Sequence, residues 1–392
     1  MARRTEPRHT GILLVDKPPG PTSHDIVGWI RWALRERTVG HCGTLDPLAS
    51  GLLVICVGEA TRLVDHLTGV DKVYRARFVL GRSTTTADAA GEVLDRLDLP
   101  DDPSQGVRGR AAVEGLLGDL ELPPPAYSAV RIAGKRAHEL ARAGEQLDLP
   151  TRPMSVRALE VLECGYERDA EGRGSWWIDV EVRVSKGTYV RSLAEEIGRR
   201  VGCPAHLGRL RRSACGDFQV DEQQVVRGLS PIQLPDLEGR PPRWRVEFPF
   251  PELAGDREAT GDRLRACMRA PWSRLPFPCF QLQGTAHSAD LVRLIQGQRL
   301  LLNARTKALF GVPPGLWGRC GLVDQGAARM LLVDIEREGG GARGLHPRIA
   351  PARVIRLLGH VSPTTKVQDE ALLAPAAPEP EPEISEHPSE DG

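Results

Sequence analysis

Short apolar runs separated by glycine- and proline-marked breaks fill the first half of the chain. Gly11-Ile12-Leu13-Leu14-Val15 reads as a strand, and Asp16-Lys17-Pro18-Pro19-Gly20-Pro21 turns the chain sharply after it, fixing Lys17 just past a strand end. Thr22 or Ser23 can cap a helix in which Ile26, Val27, Ile30 and Leu34 recur at helical spacing. Arg31, Arg35 and Arg37 fall off that face and read as solvated. The run Leu52 to Val57 is apolar and β-branched enough for a buried strand, and residues 59–67 read as a short helix. From Lys72 to Leu80 the pattern has period two: Tyr74, Ala76, Phe78 and Leu80 share one face.

Farther along, residues 81–91 read as a polar loop and 92–110 as a low-apolar connection, followed by a helix around 111–120. Residues 127–136 suggest a strand and tight turn leading into a basic helix with Arg136, His138 and Arg142. Strands are expected over 154–164 and over the alternating Trp176, Ile178, Val180, Val182 and Val184. A helix opens near Tyr189 with Val190, Leu193, Ala194, Ile197 and Val201 as its buried stripe. Tyr189 and Arg191 lie off that stripe in the first turn. A cation there opposes the helix macrodipole, so Arg191 should meet a carboxylate or a phosphate.

One segment resists either periodicity. Val39-Gly40-His41-Cys42-Gly43-Thr44-Leu45-Asp46-Pro47-Leu48-Ala49-Ser50-Gly51 is too glycine-rich for a stable helix and too polar at its centre for an ordinary strand. Pro47 biases Asp46 toward an extended backbone, so the carboxylate sits on a constrained loop that runs straight into a core strand. The plain alternative is an Asp-Pro turn in which the side chain bonds its own backbone. Tyr74 carries the same ambiguity, as a core residue or as a phenol facing a cleft.

Composition narrows the setting. The 392 residues suffice for two or three domains. Overall charge is balanced, 52 basic against 52 acidic, but residues 362–392 hold eight acids and one base, leaving 51 basic against 44 acidic before them. The mildly basic remainder permits a polyanionic partner. The Pro- and Glu-rich tail is expected to be disordered. Eight cysteines show no C-x-x-C or other close metal spacing, so no metal site is expected. No stretch is apolar for the length of a membrane span and the N-terminus lacks a signal-type apolar region, so a cytoplasmic setting is expected. Arg199, Arg200, Arg209, Arg211 and Arg212 with His206 form a cluster of the type that follows a phosphate backbone.

Taken together, five motifs in order resemble the bacterial tRNA pseudouridine-55 synthase (TruB) family across about residues 11–220. They are Gly40 through Gly51, Leu14-Val15-Asp16-Lys17-Pro18, Asp71-Lys72-Val73-Tyr74, Pro125-Ala126-Tyr127-Ser128-Ala129 and Ser185-Lys186-Gly187-Thr188-Tyr189-Val190-Arg191. The resemblance implies that Asp46 is the essential aspartate, Tyr74 the tyrosine that stacks on the target base, and Arg191 the partner of the aspartate. It implies that His41 enters the T-loop as the uridine leaves the stack, and that Lys17, Tyr189 and Leu210 support the pocket. Arg209 and Arg211 are expected to contact the RNA backbone. Cys42 and Thr85 depart from the family pattern, where threonine and aspartate are usual, and read as tolerated changes.

The resulting expectation is an α+β pseudouridine synthase fold with a central mixed, mainly antiparallel sheet and a cleft. The catalytic domain would span 10–240, with an RNA-binding insertion near 123–152. A Pro/Arg-rich linker or embellishment would occupy 241–280, a PUA-like β-barrel 281–361 and the acidic tail 362–392. The activity implied is isomerisation of uridine 55 in the T-arm of tRNA, with tRNA-folding activity, no cofactor, no required protein partner and a monomeric state. Two rivals remain: a guide-dependent relative, and an RNA-binding protein without catalysis. A carboxylate glycoside hydrolase fails for want of a second acid opposite Asp46.

Overall fold

The computed structural model describes residues 8–128, 130–132, 135–137, 140, 149–235, 243–248, 255–282, 289–313, 316, 318–324, 329–337 and 347–356. Most of the expected basic helix after residue 136 and the whole 362–392 tail lie outside them.

Ten strands build one sheet: β1 (Gly11–Lys17), β2 (Val39–His41), β3 (Ser50–Val57), β4 (Lys72–Leu80), β5 (Gly118–Leu122), β6 (Arg152–Arg168), β7 (Gly174–Val184), β8 (Ala205–Cys215), β9 (Phe218–Gln219) and β10 (Val225–Val226). Their order is β10-β1-β3-β8-β4-β7-β6-β5, with β2 on β3 and β9 on β8. Only the β1·β10 and β3·β8 pairings are parallel, so the sheet is mixed and mainly antiparallel, and with its helices the fold is α+β.

The period-two geometry of a strand explains why β1 and β3 are apolar at nearly every position. Leu13, Val15, Leu53, Ile55 and Val57 point to one core, which they share with Ile26, Val27 and Ile30 of helix α1 (Ser23–Leu34). Ile12, Leu14, Leu52, Val54 and Cys56 point to a second core on the opposite face. That second core is completed by Val323, Met330, Leu332 and Ile355 from a separate five-stranded sheet. Both faces of β1 and β3 are therefore covered. Thr22 caps α1 in a reciprocal box with Asp25.

The helix expected around 111–120 begins earlier. Helix α2 (Pro103–Glu114) starts at an Asp102 cap with proline in its first turn, and Gly118–Leu122 is strand β5. Its two glycines hid it, because they weaken a helix. They are there for packing: a Cβ at Gly106 would lie 2.6 Å from Trp176, and one at Gly109 would lie 2.8 Å from Ile178. Residues 93–96 add a short strand to the stretch expected to be a plain connection. Within the segment expected as a PUA-like β-barrel, Ala289–Ile295 is a helix whose buried Leu291 and Leu294 are three apart. Within 241–280, Trp244–Glu247 pairs with Ser230–Gln233, and helix Arg257–Ala266 sets Gly261 against the Ala33 carbonyl of α1.

Gly51 permits the parallel β3·β8 junction. Its φ is +99°, and a Cβ there would lie 2.3 Å from the Arg212 carbonyl oxygen. Gly51→Ala is expected to lose about 2–4 kcal/mol of unfolding free energy. Urea denaturation measures this, and an unchanged midpoint would contradict the constraint.

Candidate active site

The Asp46 loop is bound on both flanks to the turn after β1 and to the start of α1. Ser23 Oγ donates to the Leu45 carbonyl at 2.9 Å and accepts from the Leu45 amide at 2.8 Å. The Gly20 amide donates to the Pro47 carbonyl at 2.8 Å. Below the loop, the buried Lys17 ammonium donates to the carbonyls of Pro18 at 2.8 Å and Pro21 at 2.7 Å, and reaches that of Pro47 at 3.4 Å. Burial brings the Lys17 pKa down to about 8, against the pull of the Asp46 and Asp25 carboxylates. Asp46 thus projects from a backbone with little freedom to move.

Helix α3 (Val190–Val201) supplies the partner. It opens at Tyr189 with no side-chain cap and no acid in its first turn. Arg191 occupies that turn and pairs with Asp46 at 2.9 Å, its side chain 5% exposed against 36% for the aspartate. Its Nε lies 3.9 Å from Asp88, and its other donors reach the carbonyls of Thr86 and Tyr127, both at 3.1 Å. The cation that the macrodipole disfavours is therefore compensated by two carboxylates. Asp88 is itself held by Thr86 Oγ1 at 2.6 Å and the Ala90 amide at 3.1 Å. Burial raises the Asp46 pKa; Arg191 opposes this most strongly, Asp88 reinforces it and Lys17 opposes it.

A cleft of about 820 Å³ opens over the pair. Tyr74, Tyr189 and Leu210 line it together with Asp46 and Arg191, as do Lys72, Tyr127 and Arg212. Lys17 lies beneath the loop and touches the cleft only through Pro47. His41 ends β2, half-buried and outside the cleft lining, with its Nδ1 buried and unpartnered among the described residues. Burial, then Arg212 and His24, lower its pKa, which favours the neutral ring.

The basic cluster read from sequence separates in space. Arg199 and Arg200 pair with Glu196, each at 2.7 Å. Arg211 makes a two-pronged contact to Asp16 at 3.0 and 2.8 Å, and His206 is buried against the Arg82 carbonyl. Arg209 alone among these is exposed on β8. Arg212 is 1% exposed: it donates to the Leu52 carbonyl at 2.7 Å and the Gly43 carbonyl at 3.1 Å, and comes within 3.5 Å of the Tyr74 hydroxyl. It ties β8, β3 and the Asp46 loop together, a role its neighbours in sequence concealed. Lys72 was accessible to the same argument as Tyr74, since the two share a face of β4. Cys42 is fully buried beside Cys56, sulfur to sulfur 3.5 Å, which suits a small apolar side chain. No cluster of metal-ligating side chains occurs among the described residues. No helix among them is long and apolar enough to cross a membrane.

Comparison with known proteins now bears on this arrangement. Residues 31–190 match the family described as TruB family pseudouridylate synthase (N terminal domain). A tRNA pseudouridine synthase B from Opitutus terrae is 38% identical over 230 residues, 59% of this chain and 91% of that protein. One from Cupriavidus taiwanensis is 34% identical over 88% of this chain and 94% of its own. A solved Cbf5-Nop10-Gar1 complex is similar at 32% identity, covering 55% of this chain and 51% of that one, with a TM-score of 0.40. The protein is thus a pseudouridylate synthase, an enzyme that isomerises uridine to pseudouridine in tRNA. It belongs to the TruB family.

Replacing Arg212 strands the buried Leu52 carbonyl and the part-buried Gly43 carbonyl, whereas Arg211 is part of a pair that water reaches. Arg212→Met is expected to cost about 2–4 kcal/mol of stability and Arg211→Met about 1 kcal/mol or less. Equal losses in chemical denaturation would contradict the assignment of Arg212 as the tie.

Proposed function

We propose that the enzyme acts on uridine 55 in the T-arm of tRNA, with Asp46 as its essential carboxylate. The observation that supports this is the Asp46–Arg191 pair, 2.9 Å apart on rigid supports in a cleft also lined by Tyr74. A stacked uridine cannot present its glycosidic bond to such a group, so the base is flipped into the cleft. Tyr74 takes the face of the flipped ring, recovering about 1–3 kcal/mol of stacking. The N1–C1′ bond breaks, the uracil turns, and C5 bonds to C1′; the C5 proton is lost and N1 regains one. Asp46, ionised, serves as nucleophile or as counter-charge during the break. Arg191 favours its ionised form, opposing the burial that raises its pKa.

The remaining roles follow the same reading. His41 enters the T-loop where the base leaves, and Lys17, Tyr189 and Leu210 shape the cleft. Arg209 and Arg211 face the RNA backbone, although Arg211 must share its charge with Asp16. Residues 10–240 form the catalytic domain with its insertion near 123–152. The five-stranded sheet, whose first strand Cys279–Gln281 begins just ahead of the expected 281–361 unit, acts as a PUA-like RNA-binding unit. The enzyme works as a monomer without cofactor or protein partner, and it also assists tRNA folding.

Tritium release from transcripts labelled at uridine C5 tests the position. Release is expected from wild-type tRNA and not from one carrying cytidine at 55; release from both would overturn the assignment. The acid limb of the single-turnover rate is a second test. Because Asp46 has to be ionised and burial raises its pKa, the rate should fall on acidification at a pH above the ordinary value of about 4. Arg191→Gln removes the strongest opposing charge, so its limb should move to higher pH; a limb that stays in place would contradict the role given to Arg191.

A further inference from the structure

A groove of about 540 Å³ lies along α1, walled by Trp29, Trp32, Trp244 and Phe248. It is linked to the loop of the catalytic cleft through Gly20. The Trp244 ring packs so close to Gly20 that a Cβ there would lie 2.9 Å away, and the amide of the same Gly20 braces the Asp46 loop through Pro47. At its other end Trp32, 41% exposed, opens onto a basin lined by Arg8, Arg31, Arg35, Arg37 and Arg257.

The acids on these walls are already engaged. Asp25 serves the Thr22 cap, Glu247 pairs with Arg245 at 2.9 Å, and Glu36 accepts the amides of Arg8 and Thr38 at 2.7 and 3.0 Å. Arg31 donates to the Val39 carbonyl at 2.8 Å and Arg257 to that of Trp32 at 2.7 Å. The exposed side chains of Arg35 and Arg37 have no partner among the described residues. The rim therefore presents uncompensated guanidinium groups next to the part-exposed Trp32 indole, over which the Arg257 guanidinium lies 5.8 Å from the ring centre.

Helix α1 also departs twice from what its own stability favours, both times on these walls. Gly28 sits in the helix interior, where glycine is a poor helix former, yet nothing lies within 4 Å of where its Cβ would be. Packing gives no reason for it, but a side chain would narrow the groove. Arg35 adopts φ 51° at the left-handed C-cap, a place that favours glycine. A charge is kept there at the expense of the cap.

We infer that this groove holds a second, unpaired segment of the tRNA substrate, one base stacked on an exposed indole and its phosphates on Arg35 and Arg37. Aromatic faces beside arginines are a platform for single-stranded nucleic acid, and this one is joined through Gly20 to the loop that carries Asp46. Anchoring here would raise affinity without touching the reacting uridine.

The test uses the full chain and an unmodified tRNA transcript, with the dissociation constant, the single-turnover rate at saturating tRNA and the thermal midpoint measured for Trp32→Ala, Trp32→Phe, Gly28→Leu and Arg35→Gly. Trp32→Ala and Gly28→Leu are expected to weaken binding about fivefold or more, with the saturated rate unchanged. Trp32→Phe should restore most of the affinity by keeping an aromatic face. Arg35→Gly should raise the thermal midpoint while weakening binding. Unchanged affinity in all variants would overturn the proposal. So would tighter binding, which would mean that the acid-rich 362–392 segment competes for the groove, or a saturated rate that falls together with affinity.

Discussion

The structure depends on a single ion pair placed where the fold itself resists a free charge. Arg191 stands in the first turn of α3, where the helix dipole is unfavourable to a cation, and partial burial in the cleft raises the pKa of Asp46. Each group offsets the other's penalty. Breaking such a pair leaves a buried charge uncompensated, which is costly, so the pair ties the start of α3 to the loop between β2 and β3. Asp88 holds the arginine from the other side, and Lys17 holds the loop from below. The carboxylate is consequently placed before any substrate arrives.

That placement needs a rigid base, and the two-sided burial of β1 and β3 provides it. One face packs on α1 and the other on the five-stranded sheet, so neither strand can shift without opening a core. The Asp46 loop runs into β3 at Gly51, whose left-handed backbone lets β8 approach. Arg212 of β8 then reaches across to the Leu52 and Gly43 carbonyls. A charged side chain in this position works as a multi-pronged clip between backbone segments, and it comes within 3.5 Å of the Tyr74 hydroxyl.

How much of this was legible depended on the kind of signal. Strands β1, β3, β4 and β7 followed from runs and alternation, because one or both of their faces are buried. The need of Arg191 for a carboxylate or a phosphate followed from its place in a helix, without any contact being known. Arg212 was illegible, since burial of a guanidinium depends on carbonyls from strands remote in sequence, and its neighbours suggested a surface cluster. Helix α2 was hidden by Gly106 and Gly109, whose reason is the closeness of the helix to Trp176 and Ile178. The helix Ala289–Ile295 was missed because so short a segment, with five apolar residues around Asp290 and Arg293, fits either periodicity.

The most direct test of this account compares tritium release from C5-labelled tRNA by the wild-type enzyme and by Asp46→Asn, with tRNA affinity measured alongside. Asn keeps the shape and loses the charge. Release by the wild type and none by the variant, at affinities within about threefold, is the predicted result. Release by Asp46→Asn at a rate near that of the wild type would contradict it.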